Sequence, residues 1–356
     1  MEYLNIYSNC QLVKGASRSL ICDLQMRKSY PVSNDVYDVF CFLKDHSIEE
    51  CVAHYGVDNQ EAILSYVDFI VKKEMGFKDK GILAELSSLD LSWDAFTDIT
   101  NVILEYNEDL NYDNPFFKAL FNLNVHGLEV RCYDQTDLKK LEVFLATFKG
   151  SVLKYIKLIL PYSLATNTKV LEQLVKDNLR IKSFLIHSAA EDQFIQIYKD
   201  SVPVTYYSEA INSCLSCGTI RSAYFITNME LFTESQQHNT CLNRKLSIDF
   251  NGFIKNCPSM QDSYGHMLET NLPGLLENQD FRKYWGIKKD DISVCRDCEY
   301  RHVCTDCRAY VEDPDDIYSK PLKCGYDPYT NEWEDWAIHP MKQAAIEEYG
   351  LSALIK

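Results

Sequence analysis

No stretch of about 18 apolar residues occurs in this chain, and its first residues, MEYLNIYSNCQLVKGASRSL, lack the charged start and apolar block of a secretory signal. A membrane-spanning helix and an exported product are therefore not expected, and a soluble, cytoplasmic protein is. Positive charge is also scarce: 36 Lys and Arg against 52 Asp and Glu leave a net charge of −16, which repels phosphate backbones and anionic lipid. Neither nucleic acid nor a membrane is an expected partner, whereas a basic peptide segment would be well received. No P-loop, dinucleotide fingerprint or Ser-His-Asp order stands out, so kinase, dehydrogenase and hydrolase chemistry have no residues to rest on. Tandem repeats and low-complexity tracts are missing as well.

What is present is a chain of 356 residues, long enough for two or three domains with real apolar cores. Residues 1–80 read as one module: strands at Tyr3–Tyr7 and Ser19–Gln25, a break at Tyr30-Pro31, then helices near Asp35–Leu43, Ser47–Tyr55 and Gln60–Lys73. That pattern predicts a winged-helix-like domain. Gly81 to about Asp94 has little periodicity and reads as a linker opening a second unit, 81–230. There, short apolar runs alternate with helical segments: ITNVILEY, LEVRCY, helix DLKKLEVFLATF, YIKLILPY, helix TKVLEQLVKDNL, IKSFLIH, helix EDQFIQIYK and VPVTYYS. Such alternation predicts parallel βαβ units in an α/β fold, as an open or incomplete barrel. In the last unit, 231–356, Lys245–Phe250 and Phe253-Ile254 flank Asn251-Gly252, predicting a β-hairpin with a two-residue turn that returns Cys257 toward Cys241. A helix carrying Trp333, Trp336 and Ile338 is expected after Glu332.

Cysteine is the abundant chemistry-bearing residue, 14 in all. In a reducing compartment so many are not expected to form a disulfide framework, and clustered ones read as metal or redox sites. Seven fall in the last third: Cys241, Cys257, Cys295-x2-Cys298-x5-Cys304-x2-Cys307 and Cys324. Two thiolates three residues apart can face one cation from a single turn, and thiolates select zinc or iron-sulfur clusters over hard cations. A zinc knuckle would take four and leave three idle, while two four-iron clusters need eight and use all seven. Cys10, Cys22, Cys41, Cys51 and Cys132 read as small buried hydrophobes.

From Cys241 to Cys324 the arrangement resembles the SPASM domain, the auxiliary-cluster domain of many radical SAM peptide-modifying enzymes. That resemblance implies two [4Fe-4S] clusters, one on Cys295, Cys298, Cys304 and Cys324, the other on Cys241, Cys257 and Cys307, with Cys307 crossing between them. Cys304 and Cys307 are two residues apart where the family usually has three. For the eighth ligand, Ser213-Cys214-Leu215-Ser216-Cys217-Gly218 lies just upstream; Cys217 is favoured over Cys214, and the alternative is an iron left open to bind a ligand.

Radical SAM enzymes also carry CxxxCxxC after the first barrel strand, and this chain has no such triplet; the corresponding loop reads Asn107-Glu108-Asp109-Leu110-Asn111-Tyr112. Residues 81–230 are thus expected to be a degenerate radical SAM-type partial (β/α) barrel that does not cleave S-adenosylmethionine. Ser8–Gln25, Phe232–Asp249, Ile254–Met260 and Cys298–Tyr310 together resemble the SPASM-domain peptide maturases of grasp-with-spasm systems, found beside an ATP-grasp ligase and a short precursor peptide. The resemblance implies an N-terminal RiPP recognition element that binds the precursor's leader, an iron-sulfur C-terminal domain, and a role as maturation partner of the ligase in ribosomal peptide biosynthesis of the graspetide type. Two other readings stay open: an enzyme acting on the peptide through a cluster as Lewis acid or electron carrier, and a zinc-stabilised structural protein. Glu234, His238 and Arg244 are candidates for peptide contact.

Overall fold

A computed structural model describes residues 1–86 and 88–355. Strand β1 (Tyr3–Ile6) is followed by β2 (Cys10–Lys14), β3 (Arg18–Asp23) and β4 (Lys28–Ser33), and these last three form an antiparallel sheet in that order. The sequence reading missed β2 and β4. Pro31 sits inside β4 opposite Leu20, and a proline is tolerated there because β4 is an edge strand paired only with β3. Helices α1 (Asn34–Leu43), α2 (Ile48–Tyr55) and α3 (Gln60–Lys72) fall where periodicity placed them. The start of α2 is fixed by a capping box in which Ser47 and Glu50 bond each other's backbone N–H. Phe40, Leu43, Cys51, Val67 and Ile70 form the module's core, and β5 (Gly76–Asp79) closes it by pairing antiparallel with β1.

The second unit runs β6 (Asn101–Glu105), α4 (Pro115–Asn122), β7 (Gly127–Arg131), α5 (Leu138–Ala146), β8 (Tyr155–Pro161), α6 (Thr168–Asp177), β9 (Ile181–His187), β10 (Gln193–Ile197) and β11 (Val202–Tyr206). After α7 (Met229–Ser235), β12 (Lys245–Ile248) and β13 (Ile254–Lys255) join the same sheet, so the eight-stranded order is β10-β11-β9-β8-β7-β6-β12-β13. Neighbours from β11 through β12 are parallel and the two edge pairs antiparallel, giving a mixed α/β fold around an open, mostly parallel sheet. Its strands are buried apolar runs, Leu104, Leu128, Leu158 and Phe184 among them. The sheet crosses the boundary expected at residue 230, because β12 lies directly against β6.

Three expectations are corrected. EDQFIQIYK is not a helix: Gln193–Ile197 is a strand antiparallel to β11, and Tyr198, Lys199 and Asp200, all at positive φ, make the turn between them. The hairpin after β12 has a longer loop, Phe250–Gly252 inside the Asp249–Phe253 backbone bond, with Gly252 alone at positive φ (+86°). Beyond Glu332 the chain is not yet helical. After α8 (Leu272–Glu277) and α9 (Gln279–Arg282), β14 (Tyr326–Asp327) pairs with β15 (Glu332–Trp333), and α10 (Gln343–Glu348) starts later. Trp333 stacks near Phe225 and Tyr326, Trp336 lies beside Lys323, and Ile338 is exposed.

Candidate metal centre

The Cys-rich segments are almost devoid of regular secondary structure, and their shape is set by polar staples. Asn239, fully buried, accepts from the backbone N–H groups of Cys241 (3.0 Å) and Leu242 (2.8 Å) while donating to Asp306 at 2.6 Å. Asp306, between Cys304 and Cys307, also receives Arg308 at 2.9 Å and Lys289 at 3.3 Å. One buried carboxylate thereby ties together the Cys241, Cys295 and Cys304–Cys307 loops. The sequence reading did not pick out this network; its available signal was a charged residue inside the Cys304-x2-Cys307 pair. His302 bonds Ser235 of α7 at 3.0 Å, which orients the ligand loop, and burial drives its pKa down to about 4.

All fourteen cysteines are free. Eight thiols fall into two sets by the fields they exert on one another. Burial raises Cys241, Cys257 and Cys307, the last to about 12, and each is raised further by others of the set Cys217, Cys241 and Cys257. Burial likewise raises Cys295 to about 11, Cys304 to about 12, and Cys298; Cys324 raises Cys295 and Cys304 further, and Cys295 and Cys304 raise Cys298. The first set is Cys217, Cys241, Cys257 and Cys307; the second is Cys295, Cys298, Cys304 and Cys324. Cys214, raised by burial and Glu105, lies close by: Ser259 bonds its carbonyl at 3.0 Å, and it acts on Tyr310 and Lys323 together with Cys307. Gly218, at φ +89°, lets the backbone beside Cys217 pass the Cys307 sulfur, which a Cβ there would approach to 3.0 Å.

Among the described residues, no three His, Cys, Asp or Glu side chains converge closely enough to hold one metal ion. Thiolates at about 2.3 Å from a single zinc stand only about 3.8 Å apart. A four-iron cluster, which takes one thiolate on each iron, needs its ligands farther apart than that. Cations surround them. Lys245 Nζ is 3.5 Å from Cys241 Sγ and has no carboxylate within ion-pair distance among the described residues. Arg131 lies 3.9 Å from Cys217, sharing Glu129 with Lys157, and Lys323 donates to the carbonyls of Leu215 (2.5 Å) and Cys217 (2.8 Å). Beside the second set, Lys289 (4% exposed) and Arg308 share the single charge of Asp306, and Lys289 is 3.9 Å from Cys295. Thiols with pKa values near 12 are neutral at pH 7, so the excess positive charge is balanced only when the sulfurs are thiolates, the form that binds metal. The donor set and its charge fit anionic clusters.

No family model matches this chain, and no curated protein matches it. Seven chains of solved structures do. They include Streptococcus suis SuiB bound to S-adenosylmethionine, with a TM-score of 0.35 and 9% identity over 90% of this chain and 99% of that one. SuiB bound to precursor peptide SuiA gives 0.33 and 11% over 90% and 98%. This chain is similar to SuiB, loosely. At those scores no residue role passes from one to the other.

Residues proposed for peptide contact are largely used internally. Glu234 accepts from Asn243 (2.9 Å), while His238, edge-on to Trp93, and Arg244, which donates to the Thr97 carbonyl (2.7 Å), hold Trp93 and Thr97 against the Cys241 loop. After β6, the loop that carries no thiolates is stitched to the β12–β13 hairpin: Asn107 donates to the Phe250 carbonyl and Glu105 accepts from the Phe250 N–H, both at 3.0 Å, while Tyr133 donates to Glu105 at 2.7 Å.

Proposed function

We propose that this protein is an iron-sulfur maturation partner in graspetide-type ribosomal peptide biosynthesis, binding the precursor's leader and cooperating with an ATP-grasp ligase without cleaving S-adenosylmethionine. The observation that carries this reading is the grouping of eight unbridged thiols into two sets of four inside a surplus of buried positive charge. Cys217, Cys241, Cys257 and Cys307 would hold one [4Fe-4S] cluster, and Cys295, Cys298, Cys304 and Cys324 the other. When bound, such clusters supply one-electron transfer, or Lewis acidity if an iron is freed. The chain's own residues supply charge balance through Lys245, Arg131, Lys289 and Arg308, and hold the ligand loops through Asn239 and Asp306. The thiolate-free, hydrogen-bonded loop after β6 supports a barrel without radical chemistry. The open edge of β4 supports leader capture, since an extended peptide can add a strand there.

Iron and sulfide analysis of anaerobically prepared protein tests this reading. About eight iron atoms per chain are expected. Incubation with S-adenosylmethionine and dithionite should yield no 5′-deoxyadenosine. A colourless, metal-free protein of unchanged stability, or nucleoside release, would overturn it.

A further inference from the structure

The turn between β2 and β3 does not end in solvent. It is driven into the loop that carries Cys298. Ala16 donates its backbone N–H to the Asp297 carbonyl at 2.7 Å, and Arg301 donates to both the Lys14 carbonyl (2.6 Å) and the Cys298 carbonyl (3.0 Å). Gly15 packs so closely that a Cβ would stand 2.8 Å from the Glu299 backbone nitrogen, contact that only glycine permits. At the centre, Arg18 Nε donates to Glu299 Oε1 at 2.5 Å and its Nη2 to Tyr300 at 2.6 Å. Glu299, fully buried and next in sequence to Cys298, also accepts from Tyr326 at 2.5 Å. A carboxylate so placed is tolerated only because it is paired, and its partner comes from the other end of the chain.

Resting on the cluster reading above, we propose that the N-terminal module completes the shell of the second thiol set, with Arg18 the positioning residue: by pairing Glu299 it fixes the Cys298 loop and cancels a charge beside the cluster. Residues 1–80 then do two things, so that deleting them would remove cluster integrity along with any peptide binding.

The test uses the full chain, reduced anaerobically and followed by potentiometric EPR. Arg18→Met leaves Glu299 unpaired, which should shift the second cluster's signal and make it harder to reduce; Glu299→Gln leaves the arginine in excess and should make the same cluster easier to reduce. Tyr326→Phe, which keeps the ion pair, should give a smaller change, and Ser17→Ala, which loses only contacts to Pro328 and Asn331, should give none. The first cluster's signal should stay fixed throughout. Equal shifts of both clusters, shifts of one sign in Arg18→Met and Glu299→Gln, or a potential unmoved in both would overturn the proposal while leaving the cluster reading intact. Absence of iron from the parent protein would overturn both.

Discussion

At the residue scale, the decisive distinction is between Cys214 and Cys217. Cys217 is among the groups that act most strongly on Cys241, Cys257 and Cys307, so with it as the eighth ligand Cys217→Ser should lower iron from about eight toward about four per chain, whereas Cys214→Ser should leave it unchanged. An iron loss in the Cys214 variant alone would reverse the assignment. In the sequence, the preference for Cys217 rests on its neighbour Gly218. The compensating cations were not, because nothing in a lone Lys289 or Lys245 says that it will be buried against sulfur. Glu234 offers a test by pH. Burial raises its pKa from 4.5 to about 7 despite the Asn243 bond and Lys245. Since the folded state holds this proton more tightly than the unfolded chain, its stabilising effect is complete below about pH 4.5 and disappears as pH rises to about 7, an effect on the order of 1–3 kcal/mol. Thermal melts of Glu234→Gln should therefore lose that decline between pH 5 and 7, and a parallel pair of curves would show that Glu234 does not titrate this way.

At the scale of elements, apolar patterning located β6 to β9, α1 to α3, α5 and α6 because each buries one face or a continuous run. It failed where a segment is an edge. Gln193–Ile197 buries little beyond Ile197, so its apolar residues satisfied a helical spacing, and three consecutive positive-φ residues that force a hairpin are not glycine. Helix α4 went unseen although Asn114 caps it, accepting from the Phe117 N–H at 2.8 Å, and Pro115 opens it. Strand β12 matters most among these elements, since it pairs with β6 and separates Cys241 from Cys257. Leu246 in it is fully buried, and Leu246→Ala should cost about 2–5 kcal/mol, read as a lower urea midpoint at unchanged slope. Loss of iron should accompany it. A midpoint shift below about 1 kcal/mol would mean the sheet does not depend on this strand.

At the scale of the whole molecule, the C-terminal unit has a small apolar core of Leu242, Met260, Ile287, Ile292 and Leu322, threaded by charged side chains that a core of that size does not ordinarily enclose. Lys289 and Arg308 against Asp306 leave one positive charge unbalanced. With thiolate-bound metal beside them that charge is an asset, and without it a liability, because an unpaired buried charge costs about 3–5 kcal/mol. Stripping metal should thus lower the melting temperature of the C-terminal unit well beyond what lost ligand bonds alone would do. Lys289→Met separates the two contributions. It leaves Asp306 paired with Arg308, so the stripped variant should be more stable than the stripped parent, while the loaded variant, deprived of a cation 3.9 Å from Cys295, should release iron to a chelator faster. Calorimetry of both proteins in both states reads the two signs directly: if the substitution moves loaded and stripped protein in the same direction, the buried cations are not there to balance clusters.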